Sequence, residues 1–117
     1  MKIRGFYQGL IMVAAVVLTA KAGKIRNGSI TESWYDLNMS NVIARSDAAI
    51  GVPDLYHIDD RGVKMYGPWV IVAAHPSKVR YTRVETSLGE GIILDYHTVD
   101  DPNLYDIATD WKDGDGK

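Results

Sequence analysis

Two aspartates, Asp95 and Asp106, stand eleven residues apart in "GEGIILDYHTVDDPNLYDIATDW", residues 89–111. Each closes an apolar run, "IILD" and "LYD", whose β-branched and aromatic residues belong in core strands. An acid at such a position is costly to bury unless a rim or groove receives it. Burial favours the neutral form of a carboxyl, so Asp95, which follows "GIIL", is expected to keep its proton near neutral pH. Asp106, between Tyr105 and Ile107, is expected to orient a sugar or to stabilise charge. A proton-holding acid beside an ionised carboxylate is the equipment for breaking a glycosidic bond. One group protonates the leaving oxygen and the other stabilises the positive charge that develops. The alternative is that both aspartates simply start turns, as Asp101-Pro102-Asn103 does between them.

Other polar residues could serve the same groove. His75 precedes Pro76 at a strand end, where it can hydrogen bond to a sugar or to Asp95, against the alternative of an ordinary surface histidine. Tyr96 and His97 follow the first acid directly and are expected to line the groove. Lys64 and Tyr66 can contact a glycan, against the alternative of a solvated lysine and a core tyrosine. His57, His75 and His97 lack the spacing of a zinc site, and there is no cysteine, so neither a metal nor a cofactor is expected. No serine lies in a nucleophile-elbow context, which argues against serine-hydrolase chemistry.

The elements that must position these residues are mostly strands. "LYHI", the turn "DDRG" and "VKMYG" form a hairpin with Gly62 at the positive-φ position. "WVIVAA" (69–74) is a continuous apolar run and predicts a strand buried on both faces. "RYTRVET" (80–86) alternates like a half-exposed strand, and "GIILD" and "LYDIAT" complete the set. One helix is expected in "MSNVIARSDAAIG", capped by Ser40, stopped by Gly51, with Val42, Ile43, Ala49 and Ile50 on one face around Ser46. Five or six short strands and a helix predict a mainly β fold, a small closed barrel.

The chain has 117 residues, enough for one domain, and 46% hydrophobic content, enough for a core. A net charge of −2 and a pI near 5.8 lack the basic footprint of a nucleic-acid binder. The amino terminus carries Lys2 and Arg4, then the apolar Leu10–Leu18, then Ala20-Lys21-Ala22. This reads as a signal peptide over residues 1–22, too short in its apolar run to span a bilayer, with no stable membrane insertion after its removal. Residues 23–32 read as a linker or irregular lead-in, 33–111 as the domain and 112–117 as a flexible tail.

The segment "GVKMYGPWVIVAAHPS", then "TSLGEGIILD", then "YDIATDW" resembles the three-aspartate domain of bacterial cell-wall-lytic and resuscitation-type proteins. That domain is similar to the double-psi β-barrel of membrane-bound lytic transglycosylase A. "VAAHPS" stands where the family has A-V-D-P, "SLGEG" where it has P-L-G-T, Asp95 on the aspartate of D-T-G-G and Asp106 on that of the following I-D pair. The match spans about residues 62–111. His75 replaces the family's first aspartate, "DYHT" lacks its glycines, and "DDPN" replaces a lysine-glycine. The resemblance implies a six-stranded double-psi-like barrel with one or two short helices. It further implies a secreted or wall-associated protein of a Gram-positive bacterium that cleaves the MurNAc–GlcNAc bond of peptidoglycan glycan strands without a cofactor. In that route an acid protonates the glycosidic oxygen and the muramoyl C6 hydroxyl attacks C1. The rival expectation is a non-catalytic glycan-binding or assembly module on the same barrel.

Overall fold

The structure, a computed structural model, describes residues 25–27 and 30–117; the expected leader, residues 1–22, lies outside the described residues. The fold is mainly β. Eight strands form one branched sheet: β1 (Ile25–Asn27), β2 (Ile30–Tyr35), β3 (Tyr56–Ile58), β4 (Lys64–Tyr66), β5 (Trp69–Ala74), β6 (Arg83–Thr86), β7 (Gly89–Tyr96) and β8 (Leu104–Ala108). A single helix among the described residues, α1 (Ser40–Ile50), lies between β2 and β3. The path runs β1-β2-β8-β5-β4-β3, with β7 branching from β5 and β6 beyond it. The strands do not close into the expected barrel, and they number eight because the lead-in folds.

That lead-in is the first departure. Residues 25–27 and 30–35 form an antiparallel pair, and β2 then runs parallel to β8 with Ser33 opposite Asp106. The run tolerates an acid in mid-strand because Glu32, fully buried, accepts hydrogen bonds from the Ser87 N–H and hydroxyl. Burial pushes its carboxyl upward, and the two Ser87 donors pull it back.

β5 is the hub. One edge pairs with β7 in parallel; the other pairs with β4 at its start and β8 at its end, both antiparallel. Paired on both edges and covered on both faces, it needs apolar residues at every position, which explains its unbroken run. Val70, Val72 and Ala74 enter one cluster with Val63, Ile93 and Ile107. Ile71 enters the opposite one with Ile92, Leu94, Ala108 and the helix residues Val42, Ile43 and Ile50. Complete burial of each such aliphatic side chain stabilises by about 1.5–3 kcal/mol.

The helix spans the expected residues, with Gly51 left-handed at φ 81°. Ser40 is its first residue rather than its cap; Asn38 Oδ1 accepts the Ser40 N–H at 2.9 Å. Ser46 is buried at the contact and Ala49 is exposed, because Ser46 lets the helix approach the sheet on the turn between Val42 and Ile50. The tail is also held: the Met39 N–H donates to the Lys117 carbonyl, and the Gly116 N–H to Asp110. Among the described residues no helix is long and apolar enough to cross a membrane.

Candidate functional site

The register of three strands decides where the two acids go. Ala73 of β5 is opposite Asp95 on β7 and opposite Asp106 on β8. Residues in register across strands share a face, so the carboxylates flank one small residue on the helix-bearing face. A slip in the β5–β7 register between Val72 and Ala73 makes this possible. Val72 opposes Ile93, but Ala73 opposes Asp95, leaving Leu94 as the extra residue of a bulge. Without the slip Asp95 would oppose Ala74 and turn into the cluster of Val72 and Ile93. Bulges commonly re-aim one side chain in this way.

The two acids have unequal surroundings. Asp106 is half-buried, and Ser33 donates to its Oδ1 at 2.8 Å. Burial pushes the Asp106 carboxyl above its ordinary range, while the Ser33 hydrogen bond and nearby His97 pull it part of the way back. Asp95 is more open, with 36% of its side chain exposed and Arg45 Nη2 of α1 at 3.6 Å from its Oδ1. That spacing is an ion pair rather than a hydrogen bond. Arg45 also reaches the Leu94 carbonyl at 3.3 Å, so the helix clamps the bulge. The expected order of burial is therefore reversed: the apolar "GIIL" precedes a bulge at the sheet's rim, while Asp106 is enclosed between β2 and β5.

Tyr35 completes the row from β2, where it opposes Ala108. Burial first, then the charges of Asp106 and Asp95, hold its phenol far above the usual range. It therefore stays a neutral O–H donor, and its hydroxyl donates to the weak acceptor Met39 Sδ at 3.8 Å. His97 is buried, and its Nε2 lies 2.8 Å from the Leu104 carbonyl. A carbonyl only accepts, so Nε2 carries the hydrogen. Its Nδ1 is buried and has no hydrogen-bond partner among the described residues. His75 stands at the rim with its ring 6.2 Å from His97, its Nε2 3.3 Å from the exposed Asp100 and its Nδ1 bonded to Ser77.

Three expected contact residues lie elsewhere. Lys64 is fully buried and donates to Asp36 Oδ1 at 3.1 Å and the Leu37 carbonyl at 2.8 Å. Tyr66 is equally buried, with its hydroxyl on Asp47 at 2.6 Å, tying α1 to the sheet. Both point inward because the short β4 is covered by α1 and the tail. Tyr96 packs on the face away from the helix, donates to the Lys78 carbonyl at 3.0 Å, and lies under the Arg80 guanidinium. The same slip that turns Asp95 to one face turns Tyr96 to the other.

Ser33, Tyr35 and Arg45 are the site residues that sequence reasoning missed. The alternation of Thr31, Ser33 and Tyr35 is the only sequence signal for the two strand residues, and "GKIRNGSIT" before it hides the strand. Asp36, Asp110 and Asp113 bring carboxylate oxygens within 4.8 Å of one another. Asp36 is already engaged by Lys64 and by the Lys112 and Asp113 N–H groups, so the cluster ties down the C-terminus. A cleft of about 320 Å³ between α1 and the tail contains none of the expected site residues. No family model, curated protein or solved structure matches the chain.

Proposed function

We propose that this protein is a secreted peptidoglycan-cleaving enzyme of the lytic-transglycosylase kind, acting on the MurNAc–GlcNAc bond. The observation that carries this reading is the placement of two carboxylates in register on either side of Ala73, Asp106 half-buried beside Ser33 and Asp95 more open beside Arg45. Neutral Asp106 delivers its proton to the glycosidic oxygen as the C1–O bond breaks and the leaving sugar departs with the bonding pair. Asp95, 3.6 Å from the Arg45 guanidinium, stabilises the positive charge at C1. The C6 hydroxyl of the same muramoyl residue attacks C1, and its proton returns to Asp106, which regenerates the acid and leaves a 1,6-anhydro end. This assignment exchanges the roles expected from sequence, because burial rather than the preceding residues decides which carboxyl keeps its proton.

The double-psi-like reading of the sheet draws support from its two parallel pairs, β2 with β8 and β5 with β7, joined by the antiparallel contact of β5 and β8. Secretion to the wall of a Gram-positive bacterium rests on the leader pattern and the family resemblance. A second reading, a glycan-binding module without catalysis, is favoured by one observation: Arg45 already occupies the approach to Asp95. Mass spectrometry of purified peptidoglycan after incubation with the protein separates them. Anhydro-muramoyl ends support the first reading, bound but unaltered glycan supports the second, and new reducing ends would mean hydrolysis instead.

A further inference from the structure

The Ser33–Asp106 pair is an interaction that the acid chemistry does not by itself require. Parallel pairing of β2 and β8 sets Ser33 opposite Asp106, and the Ser33 hydroxyl donates to Oδ1 at 2.8 Å. An oxygen that accepts a hydroxyl hydrogen is poorly placed to carry a proton of its own. The neutral carboxyl therefore places its hydrogen on Oδ2. We propose, resting on the functional reading above, that Ser33 is a positioning residue which reserves Oδ2 of Asp106 as the proton-delivering oxygen and stabilises the carboxylate left after delivery.

Both effects follow from one bond. Donation to a carboxylate is stronger than donation to a neutral acid, so Ser33 opposes burial and keeps the proton transferable. The other groups facing Asp106 act from different elements. Tyr35 is on the same strand as Ser33, Asp95 is on β7 and His97 directly follows that strand, with Arg45 of α1 balancing Asp95. None is hydrogen bonded to Asp106 Oδ1 in place of Ser33.

The test is the Asp106 titration, followed by carbon-detected NMR on the full chain, for Ser33→Ala and Ser33→Thr. Ser33→Ala removes the donor and should move the midpoint upward, with the pH–rate profile for muropeptide release following it. Ser33→Thr keeps a hydroxyl on a strand-favouring side chain and should titrate with the unmodified protein. An unchanged Asp106 midpoint in folded Ser33→Ala would overturn the proposal, as would a Ser33→Thr midpoint displaced as far as that of alanine. Should the alanine variant fail to fold, Ser33→Cys, whose thiol is a weak donor, takes its place: its Asp106 midpoint should also rise, and an unchanged one would overturn the proposal. The NMR readout does not depend on turnover, so an inactive protein with the expected shift would overturn the enzymatic reading and the delivery role with it, leaving only Ser33's hold on the Asp106 titration.

Discussion

At the residue scale, the two aspartates differ in how they meet solvent, and that difference predicts pH behaviour. Asp106 has its folded-state pKa raised by burial, so the acid form persists above the ordinary carboxylate range. Its contribution to folding is fully present below the unfolded pKa and is lost as pH rises through the folded one. Glycan cleavage should therefore fall off on the alkaline side of the raised value, a limb that a pH–rate profile will show. Asp106→Asn is permanently neutral, so its thermal midpoint at neutral pH should equal or exceed that of the unmodified protein. Asp95→Asn should slow cleavage by about 10² to 10⁴-fold, the usual worth of a positioned charge or proton-transfer group. It should change stability by only about 0–1 kcal/mol, because its partner is exposed.

At the element scale, β5 and its neighbours create the site. The apolar run of β5, the β3–β4 hairpin with Gly62 at φ 79°, the helix over residues 40–50 and the two strands that carry the acids were legible in sequence, because periodicity reports burial directly, although Asp106 sits at the middle of β8 rather than at its end. The bulge at Leu94 was not. A one-residue slip leaves no mark in composition, yet it decides that Asp95 shares a face with Asp106 and that Tyr96 does not. Nor was β2 legible, because Glu32 interrupts the apolar pattern and its partner Ser87 lies far along the chain. Close approach of β5 and β7 depends on Gly91, where an added Cβ would meet Val72 Cγ2 at 2.9 Å and the Val70 carbonyl at 3.0 Å. Gly91→Ala should cost about 1–3 kcal/mol through overpacking. Chemical denaturation checks this, and an unchanged midpoint would contradict the β5–β7 packing described.

At the scale of the whole molecule, a buried ion pair joins the two ends of the domain. Lys64 and Asp36 are both fully enclosed, and Asp36 also accepts from the Lys112 and Asp113 N–H groups. Burial raises the Asp36 carboxyl, but the two backbone donors and Lys64 together outweigh it and hold the carboxyl below its usual value. That stabilisation is present above the unfolded pKa and is lost only as pH falls through the lowered folded one, opposite in sign to Asp106. Lys64→Met strands Asp36 and should destabilise by about 3–5 kcal/mol, visible as a large fall in melting temperature. A lysine that contacted glycan instead would leave the melt unchanged and weaken binding. The domain thus separates a charged anchor beneath the tail from the unequal acid pair on β7 and β8. The most direct test of that acid pair is the yield of 1,6-anhydro-muramoyl ends released from purified peptidoglycan by the unmodified protein and by Asp106→Asn, measured by mass spectrometry alongside thermal melts. Abundant anhydro ends from the first and none from the second, with both folded, is the result predicted; equal yields from a folded Asp106→Asn protein would contradict the assignment of Asp106 as the acid.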